Sequence, residues 1–307
     1  MSRISQILLH ARNSMSHSLR SGSGIAFIVL TMMTGLGVAS LVFMPIELEM
    51  ITPEEFRNSA AQAVGFFLAM ATLQGGTFNT ISQRMEAGDL VELATWGRYL
   101  VLDHPVLLSL TVLLLGLLLP ILLPLGSFAS ISGDVQHRSI RYLLPRTTRT
   151  SLLLGRLLGA LVLSWTLITL LQGAIVLYLG IVLPLDGWSE LVPWGIRTLG
   201  VLMVLCVPYV ALGVLFSTLF RVPMVALLGS VGFTVAVPVI SLSLRRAAEE
   251  WEGLGFLGYL MYLLPWGYSH NLLSPDGQTV AWAVLFCLGH GFFFTVVALL
   301  RFRRMDL

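Results

Sequence analysis

Long apolar runs separated by short polar segments dominate the chain. A helix needs about 20 apolar residues to cross roughly 30 Å of hydrocarbon, and six runs are long enough. They lie at Gly24–Met44, Val106–Ser130, Leu152–Leu183, Leu199–Phe220, Val222–Leu244 and Val280–Leu300. The pattern predicts an all-α integral membrane protein with six transmembrane helices.

Two further apolar stretches are too short to span. Ala60–Leu73 falls inside residues 45–105, which we interpret as an outer loop, and we expect it to be a partly buried or interfacial helix there. A crossing at this stretch would raise the count to seven. Phe256–Leu264 is bracketed by Gly253 and Pro265, and this predicts a re-entrant or interfacial half-helix before the last span.

The first 23 residues are polar and basic, with apolar residues at helical spacing. We predict a cytoplasmic amphipathic interface helix at residues 1–23, with Arg3, Leu8 and Arg12 as its candidate contact residues. Two interpretations stay open. The helix lies on the inner leaflet, attracted by anionic lipid, or it also touches a cytoplasmic partner.

Composition supports a membrane protein. Apolar residues make up 56% of the chain and charged residues only 11%, with a mean hydropathy of +0.86. A soluble domain carries roughly a quarter charged residues. The remaining apolar surface must therefore face lipid.

All 18 basic residues are arginine, and the chain contains no lysine. The phosphate loop of ATPases, Gly-x4-Gly-Lys-Ser/Thr, requires a lysine that reaches the phosphates. The chain therefore contains no such loop, and if ATP powers this protein, another polypeptide binds it.

Arginine placement predicts the orientation. With the N-terminus inside, 12 of the 18 arginines fall on the cytoplasmic side, together with only Asp134 and Asp306 among the acids. Cytoplasmic loops of membrane proteins carry such an excess of basic residues. We therefore expect both termini in the cytoplasm.

The segment between the second and third spans is basic but has an apolar centre. It contains Arg138, Arg141 and Arg149, with Leu143 and Leu144 between them. One interpretation is a solvated basic loop that serves topology alone. The other is a short helix that inserts the two leucines into a cleft on a partner, with arginines at the rim.

This segment resembles the cytoplasmic loop of ABC-2 type transporter permeases. In that family an acidic residue is followed five positions later by Thr, then by Leu-Leu, Pro and Arg, and Gly-Lys or Gly-Arg opens the third span. Asp134 and Ser139 keep the first spacing, and Arg149 and Gly155-Arg156 keep the second. Pro145 is displaced by one residue, and Arg138 stands where the family has Gly.

The resemblance extends over the whole chain and implies a function. Residues 24–307 would form a six-span permease domain, and residues 132–151 would form the coupling loop that docks on an ATPase subunit. The coupling residues it implies are Asp134, Arg138, Ser139, Arg141, Leu143, Leu144 and Arg149.

The resemblance also implies partners and a location. We expect a dimer of ABC ATPase subunits that binds ATP and magnesium, a second permease copy that forms a homodimer, and an exporting direction. The expected location is the cytoplasmic (inner) membrane of a bacterium or archaeon, with a further partner on the periplasmic side. We expect no cofactor on this chain and no nucleic-acid partner.

Polar and small residues within the spans are the remaining candidates. An unpaired polar group at mid-span is costly and often marks function, whereas small residues often serve close helix packing. Both interpretations stay open, although spans one and five line the dimer seam and path in the resembled family. The candidates are Thr31, Thr34, Gly35, Gly229, Ser230, Thr234, Gln172 and His290, with Gly155-x3-Gly159 as a packing motif.

No catalytic constellation is visible in the sequence. The chain has no His-Glu-x2-His or Gly-x-Ser-x-Gly motif, and the six apolar runs contain no acid. Cys206 and Cys287 stand alone in apolar runs, so we expect neither a disulfide nor a metal site. The alternative to a transport subunit is a non-transporting membrane anchor or scaffold of a protein complex.

Overall fold

The computed structural model describes residues 3–52, 54–56, 58–60, 99–101, 103–144, 147–183, 186–250 and 264–305, without the side chains of 241–250. Its helices are α1 (Arg3–Arg20), α2 (Gly22–Glu47), α3 (Val106–Leu122), α4 (Ser132–Gln136), α5 (Ile140–Leu143), α6 (Arg149–Ile181), α7 (Trp188–Leu219), α8 (Pro223–Glu250) and α9 (Gly277–Arg303). Six spans in the described residues are long and apolar enough to cross a membrane; they are formed by α2, by α3 with the turn that follows it to Gly126, and by α6 to α9. The predicted six-span, all-α fold is confirmed.

Side-chain caps set where several spans begin. Ser21 Oγ accepts from the Gly24 N–H ahead of α2, and Thr148 Oγ1 accepts from the Ser151 N–H ahead of α6. Asp276 does the same for the Thr279 N–H in α9. These oxygens satisfy N–H groups that the first turn of a helix leaves without partners.

The second span ends earlier than predicted. α3 stops at Leu122 and continues as a 3-10 turn over Leu123–Gly126, because Pro124 has no N–H to continue the helix. The chain then turns onto α7, where Ser217 Oγ accepts from the Ile131 and Ser132 N–H groups at 2.8 and 2.9 Å. The apolar run continues to Ser130, so apolar length alone overestimates this span.

The fourth span begins earlier than predicted, at Trp188 rather than Leu199. The apolar run of the sequence begins only after Arg197, and a charge is costly inside a span. In the structure the Arg197 guanidinium donates to Tyr99 Oη and, at 2.8 Å, to the Ser274 carbonyl. α7 has 32 residues, so at about 1.5 Å per residue it is about 48 Å long. It extends beyond the roughly 30 Å of hydrocarbon, and Arg197 lies near its first turns.

α6 and α7 form the centre of the bundle. α7 is the most buried of the six spans and α8 the least, with 67% and 17% of their apolar windows buried. α2 and α9 are also peripheral, and α1 packs mainly along the first part of α6. The outer faces of α2, α8 and α9 are rich in exposed apolar side chains, as expected of helices that meet lipid or a second protein.

The two ends of the bundle differ in charge. The basic end holds α1, the segment of residues 132–148 (the α4–α5 loop) and the last residues of α9, and each of these elements contacts α6 there. At the far end, Tyr178 Oη donates to the Glu47 carboxylate and Arg197 joins α7 to Tyr99.

Several predictions concern residues outside those that the structure describes. They are the interfacial helix at Ala60–Leu73 beyond Ala60, the re-entrant piece at Phe256–Leu264 before Leu264, and Pro145. Ala60 itself is buried, with 5% of its surface exposed.

Candidate functional site

The α4–α5 loop is closed by one carboxylate. Asp134 Oδ2 accepts from Arg156 Nη2 at 2.7 Å, and Asp134 Oδ1 accepts from Ser139 Oγ at 3.0 Å. The Asp134 and Arg156 side chains are only 18% and 15% exposed, so water screens this ion pair less than it screens a surface pair. These two bonds of Asp134, to Ser139 and to Arg156, hold the loop against the base of α6.

Arg138 adopts a left-handed backbone, with φ at 56°. This region favours glycine, since the Cβ of other residues is strained there. The residue lies in the turn between α4 and α5, and its side chain is exposed. The backbone explains why glycine suits this position in the resembled family.

The apolar residues of the loop point inward. Ile140 is 2% exposed, and Leu143 and Leu144 are half-buried against the bundle core. Residues three and four apart share one face of a helix, so this trio faces the protein and the opposite face presents Arg141 and Tyr142. Tyr142 is 81% exposed, and it, rather than the two leucines, is the large side chain that the loop offers to a partner.

The apolar pattern of the loop singled out Leu143 and Leu144 rather than Tyr142, because hydrophobicity alone does not distinguish the two faces of a short helix. The helical spacing within Ile140–Leu143 puts Ile140 and Leu143 on one face and Arg141 and Tyr142 on the other, so this spacing could have distinguished them.

Arg149 lies at the start of α6 and contacts the end of α9. Its Nη1 donates to the carbonyls of Phe302, Arg303 and Met305 at 2.9, 2.9 and 2.8 Å. The last carbonyls of a helix lack partners and carry partial negative charge. Arg149 therefore joins the third span to the sixth; a contact with a partner, predicted for this residue, stays a prediction.

The N-terminal helix α1 docks in a groove made by two glycines of α6. A Cβ on Gly155 would lie 2.4 Å from His10 Cβ, and one on Gly159 would lie 2.7 Å from the Ala11 carbonyl oxygen. No side chain fits at either position, so the predicted Gly155-x3-Gly159 motif does serve close packing, here with α1.

The docked helix exposes its apolar side and buries polar residues. His10 and Ser14 are 8% and 5% exposed, whereas Leu8 is 61% exposed, and Arg3 and Arg12 are exposed as well. Burial lowers the pKa of the His10 imidazole below its ordinary value, and the nearby Arg156 guanidinium lowers it further. The predicted contact residues of α1 thus face away from the bundle.

The two clusters of small and hydroxylated residues contact different neighbours. In α2, Gly35 lies against the Leu171 side chain of α6, Thr31 is buried and Thr34 half-buried. In α8, Gly229 lies against the ring of Phe216 in α7. Ser230 and Thr234, further along α8, donate to carbonyls of their own helix at 3.0 and 2.9 Å. Within one chain, the α2 cluster faces α6, whereas Gly229 of α8 faces α7.

Gln172 and His290 each have a hydrogen-bond partner. Gln172 Nε2 donates to Thr198 Oγ1 of α7 at 2.9 Å, while Gln172 Oε1 is buried without a protein partner. Tyr268 Oη and His290 Nδ1 lie 2.5 Å apart, which joins α9 to the segment before it. Thr198 and Tyr268 were not predicted, because a single sequence does not show which distant residue meets a polar group in a span.

The described residues contain no cluster of three or more His, Cys, Asp or Glu side chains that could hold a metal ion. Cys206 and Cys287 are both buried free thiols. The part of the chain described contains a folded basic loop, an amphipathic helix docked on α6, and packed spans.

Comparison with known proteins bears on the whole chain. A family model described as ABC-2 family transporter protein matches residues 11–307. No curated protein matches the chain significantly.

Proposed function

Because the chain belongs to the ABC-2 family of transporter proteins, we propose that it is the permease of an ATP-driven exporter whose separate ATPase subunits dock on the α4–α5 loop. Membership in this family makes the chain a multi-pass membrane transport subunit, and the family implies an ABC ATPase as its partner. It confirms the family inferred from the loop motif. ATP and Mg²⁺ bind the partner, since this chain has no lysine for a phosphate loop.

The observation that supports the docking site is the exposed face of the α4–α5 loop. Tyr142 is 81% exposed, and the neighbouring Arg141 and the nearby Arg138 of the same loop are exposed as well. Aromatic and arginine side chains are the residues that most often dominate binding energy in protein interfaces. The loop is also held in place by the bonds of Asp134 to Arg156 and Ser139, so a force applied at Tyr142 would reach α6.

Orientation and assembly follow from charge and burial. The arginine-rich basic end faces the cytoplasm under the positive-inside rule, and the membrane is the cytoplasmic one. The weak burial of α8 within one chain supports a homodimer in which α2 and α8 contribute to the seam and path, through residues such as Thr31, Gly35 and Gly229. A periplasmic partner would meet the far end.

Co-purification of the tagged chain with an ATPase from its native membranes tests the proposal. Truncating an anchor residue at an interface costs about 2 kcal/mol or more, which is roughly a 30-fold loss of affinity. We expect Tyr142→Ala to lose the ATPase to this extent and Tyr142→Phe to keep it. Arg141→Glu should also release it, because it reverses a charge on the same face.

Arg221→Glu is the matched control for charge. Arg221 is exposed in the turn between α7 and α8, so the same reversal there should leave the ATPase bound. An ATPase that binds equally to all variants would place docking elsewhere. A wild-type chain that binds no ATPase would be a membrane anchor, and the transport proposal would be wrong.

A further inference from the structure

The contact between Arg149 and the end of α9 connects two elements that are far apart in the sequence. Arg149 Nη1 reaches three terminal carbonyls of the last span, and its guanidinium lies 6.0 Å from the Phe302 ring centre. Arg303 returns a bond from its Nη2 to Thr150 Oγ1 at 3.2 Å. The contact is therefore reciprocal and joins the first turn of α6 to the last turn of α9.

The α4–α5 loop is attached to the same place. It joins α6 directly through the chain at Thr148, and Asp134 holds it to Arg156, two turns above Arg149. The loop, the base of α6 and the end of α9 thus form one connected block. A displacement of the loop would act on α9 as well as on the two spans that the loop joins covalently.

α9 carries a second contact halfway along its length. His290 lies 13 residues after Gly277, about 20 Å along the helix axis. Its Nδ1 is 2.5 Å from Tyr268 Oη and 2.9 Å from the Phe286 carbonyl oxygen of its own helix, and Tyr268 lies between two short 3-10 segments, Pro265–Gly267 and Ser269–Leu273. Since hydrogen bonds of these kinds lie at about 2.5–3.2 Å, an independent shift of α9 by an ångström would break the contact with Tyr268.

We propose that α9 transmits movement of the α4–α5 loop toward the far end of the bundle, and that Arg149 is the positioning residue that makes it follow the loop. The proposal rests on the proposed function, because it needs an ATPase that moves the loop. Arg149 thus acts within the permease, in addition to any contact with the ATPase.

The test uses the complete permease–ATPase complex in lipid nanodiscs. Gln278 is exposed in the first turn of α9, and Gln278→Cys reports movement there through its rate of reaction with a polar maleimide. The native thiols Cys206 and Cys287 are fully buried, so the chain without the added cysteine is the blank. The rate is measured without nucleotide and with ATP plus vanadate.

The reaction rate is compared in four versions of the reporter chain: the parent chain and three variants of it. We expect nucleotide to change the rate by about fivefold or more in the parent chain, a size typical of allosteric coupling. Arg149→Gln should reduce the change below about twofold, measured only in complexes that hold the ATPase at the same stoichiometry as the parent chain. Arg149→Lys should keep it, because an ammonium group can donate to the same carbonyls. Arg301→Gln, the same change at an exposed arginine one turn earlier than Met305, should also keep it.

The outcomes are distinguishable. If Arg149→Gln responds like the parent chain, the transmission proposal is overturned and the proposed function stands. If the parent chain binds no ATPase or does not respond to nucleotide, the proposed function itself fails. If Arg149→Gln does not assemble, Thr150→Val decides, because it removes only the bond from Arg303; a smaller response supports the proposal and an unchanged one overturns it.

Discussion

Replacing Gly155 with alanine tests the docking of α1 on α6. The added Cβ would lie 2.4 Å from His10 Cβ and 2.9 Å from the Ile7 carbonyl oxygen, whereas carbon atoms in contact lie about 3.5–4.0 Å apart. Neither neighbour is the flexible tip of a side chain, so α1 must retreat by about 1 Å. Overpacking of this kind costs about 1–3 kcal/mol, which lowers the docked population about 5- to 150-fold.

Hydrogen exchange of the α1 amides in lipid nanodiscs measures this loss. We expect Gly155→Ala to speed the exchange of residues 6–14 by about the same factor, because exchange follows local opening. Gly159→Ala should act alike, since its Cβ would lie 2.7 Å from the Ala11 carbonyl oxygen.

Gly173→Ala is the matched control on the same helix. A Cβ at Gly173 has nothing within 4 Å, so the substitution adds only the helix propensity of alanine, about 1 kcal/mol in its favour. It should leave the α1 amides as protected as in the parent chain. Equal protection in the Gly155 and Gly173 variants would refute the packing argument.

Three further predictions concern the basic end of the bundle, and the midpoint of thermal unfolding measures each of them. Asp134→Asn removes the charge that pairs with Arg156 and should lower the free energy of unfolding by about 1.5–3 kcal/mol; Ser139→Ala, which removes one bond to the same carboxylate but leaves the ion pair, should cost less, at the lower end of that range (about 1.5 kcal/mol), and the reverse order would contradict the assignment. Arg138→Gly should stabilise the protein by about 1 kcal/mol, because φ is 56° there, whereas Arg138→Val should destabilise it; a lower midpoint for the glycine variant would show that no strain is relieved. Because the pKa of folded His10 lies below the ordinary value of 6.5, the unfolded chain binds more protons below that pH, so stability is fully present above it and falls as the pH drops. His10→Gln should remove part of this dependence below about pH 6.5, and an unchanged dependence would exclude His10 as its source.

Apolar length predicted the spans but not their ends. A long apolar run is a sufficient reason for a crossing helix, so all six appear in the structure. The end of α3 depends on Pro124 and on Ser217 of a distant helix, and the start of α7 depends on partners for Arg197. These are tertiary contacts, which the local pattern of a single sequence does not contain.

The residues that carried the family resemblance are close together in the structure, although the sequence did not predict that Asp134, Ser139 and Arg156 would meet. The predicted partner contact of Leu143 and Leu144 stays a prediction; the sequence did not show that both are half-buried, because hydrophobicity alone does not say on which side of a short helix the core lies. The neighbours of Arg149 are more than 150 residues away, at Phe302 and beyond, and no local pattern predicts them.

The docking of α1 on α6 has a consequence for biosynthesis. α1 is complete at Arg20, but its groove, at Gly155 and Gly159, is synthesised only about 135–139 residues later. At about 5–20 residues per second, the helix waits about 7–28 s. During that interval its exposed leucines can rest on the lipid surface while His10 and Ser14 face water. The nascent helix must then turn its polar side onto α6, so the order of synthesis requires a segment that is stable first on a membrane and then on protein.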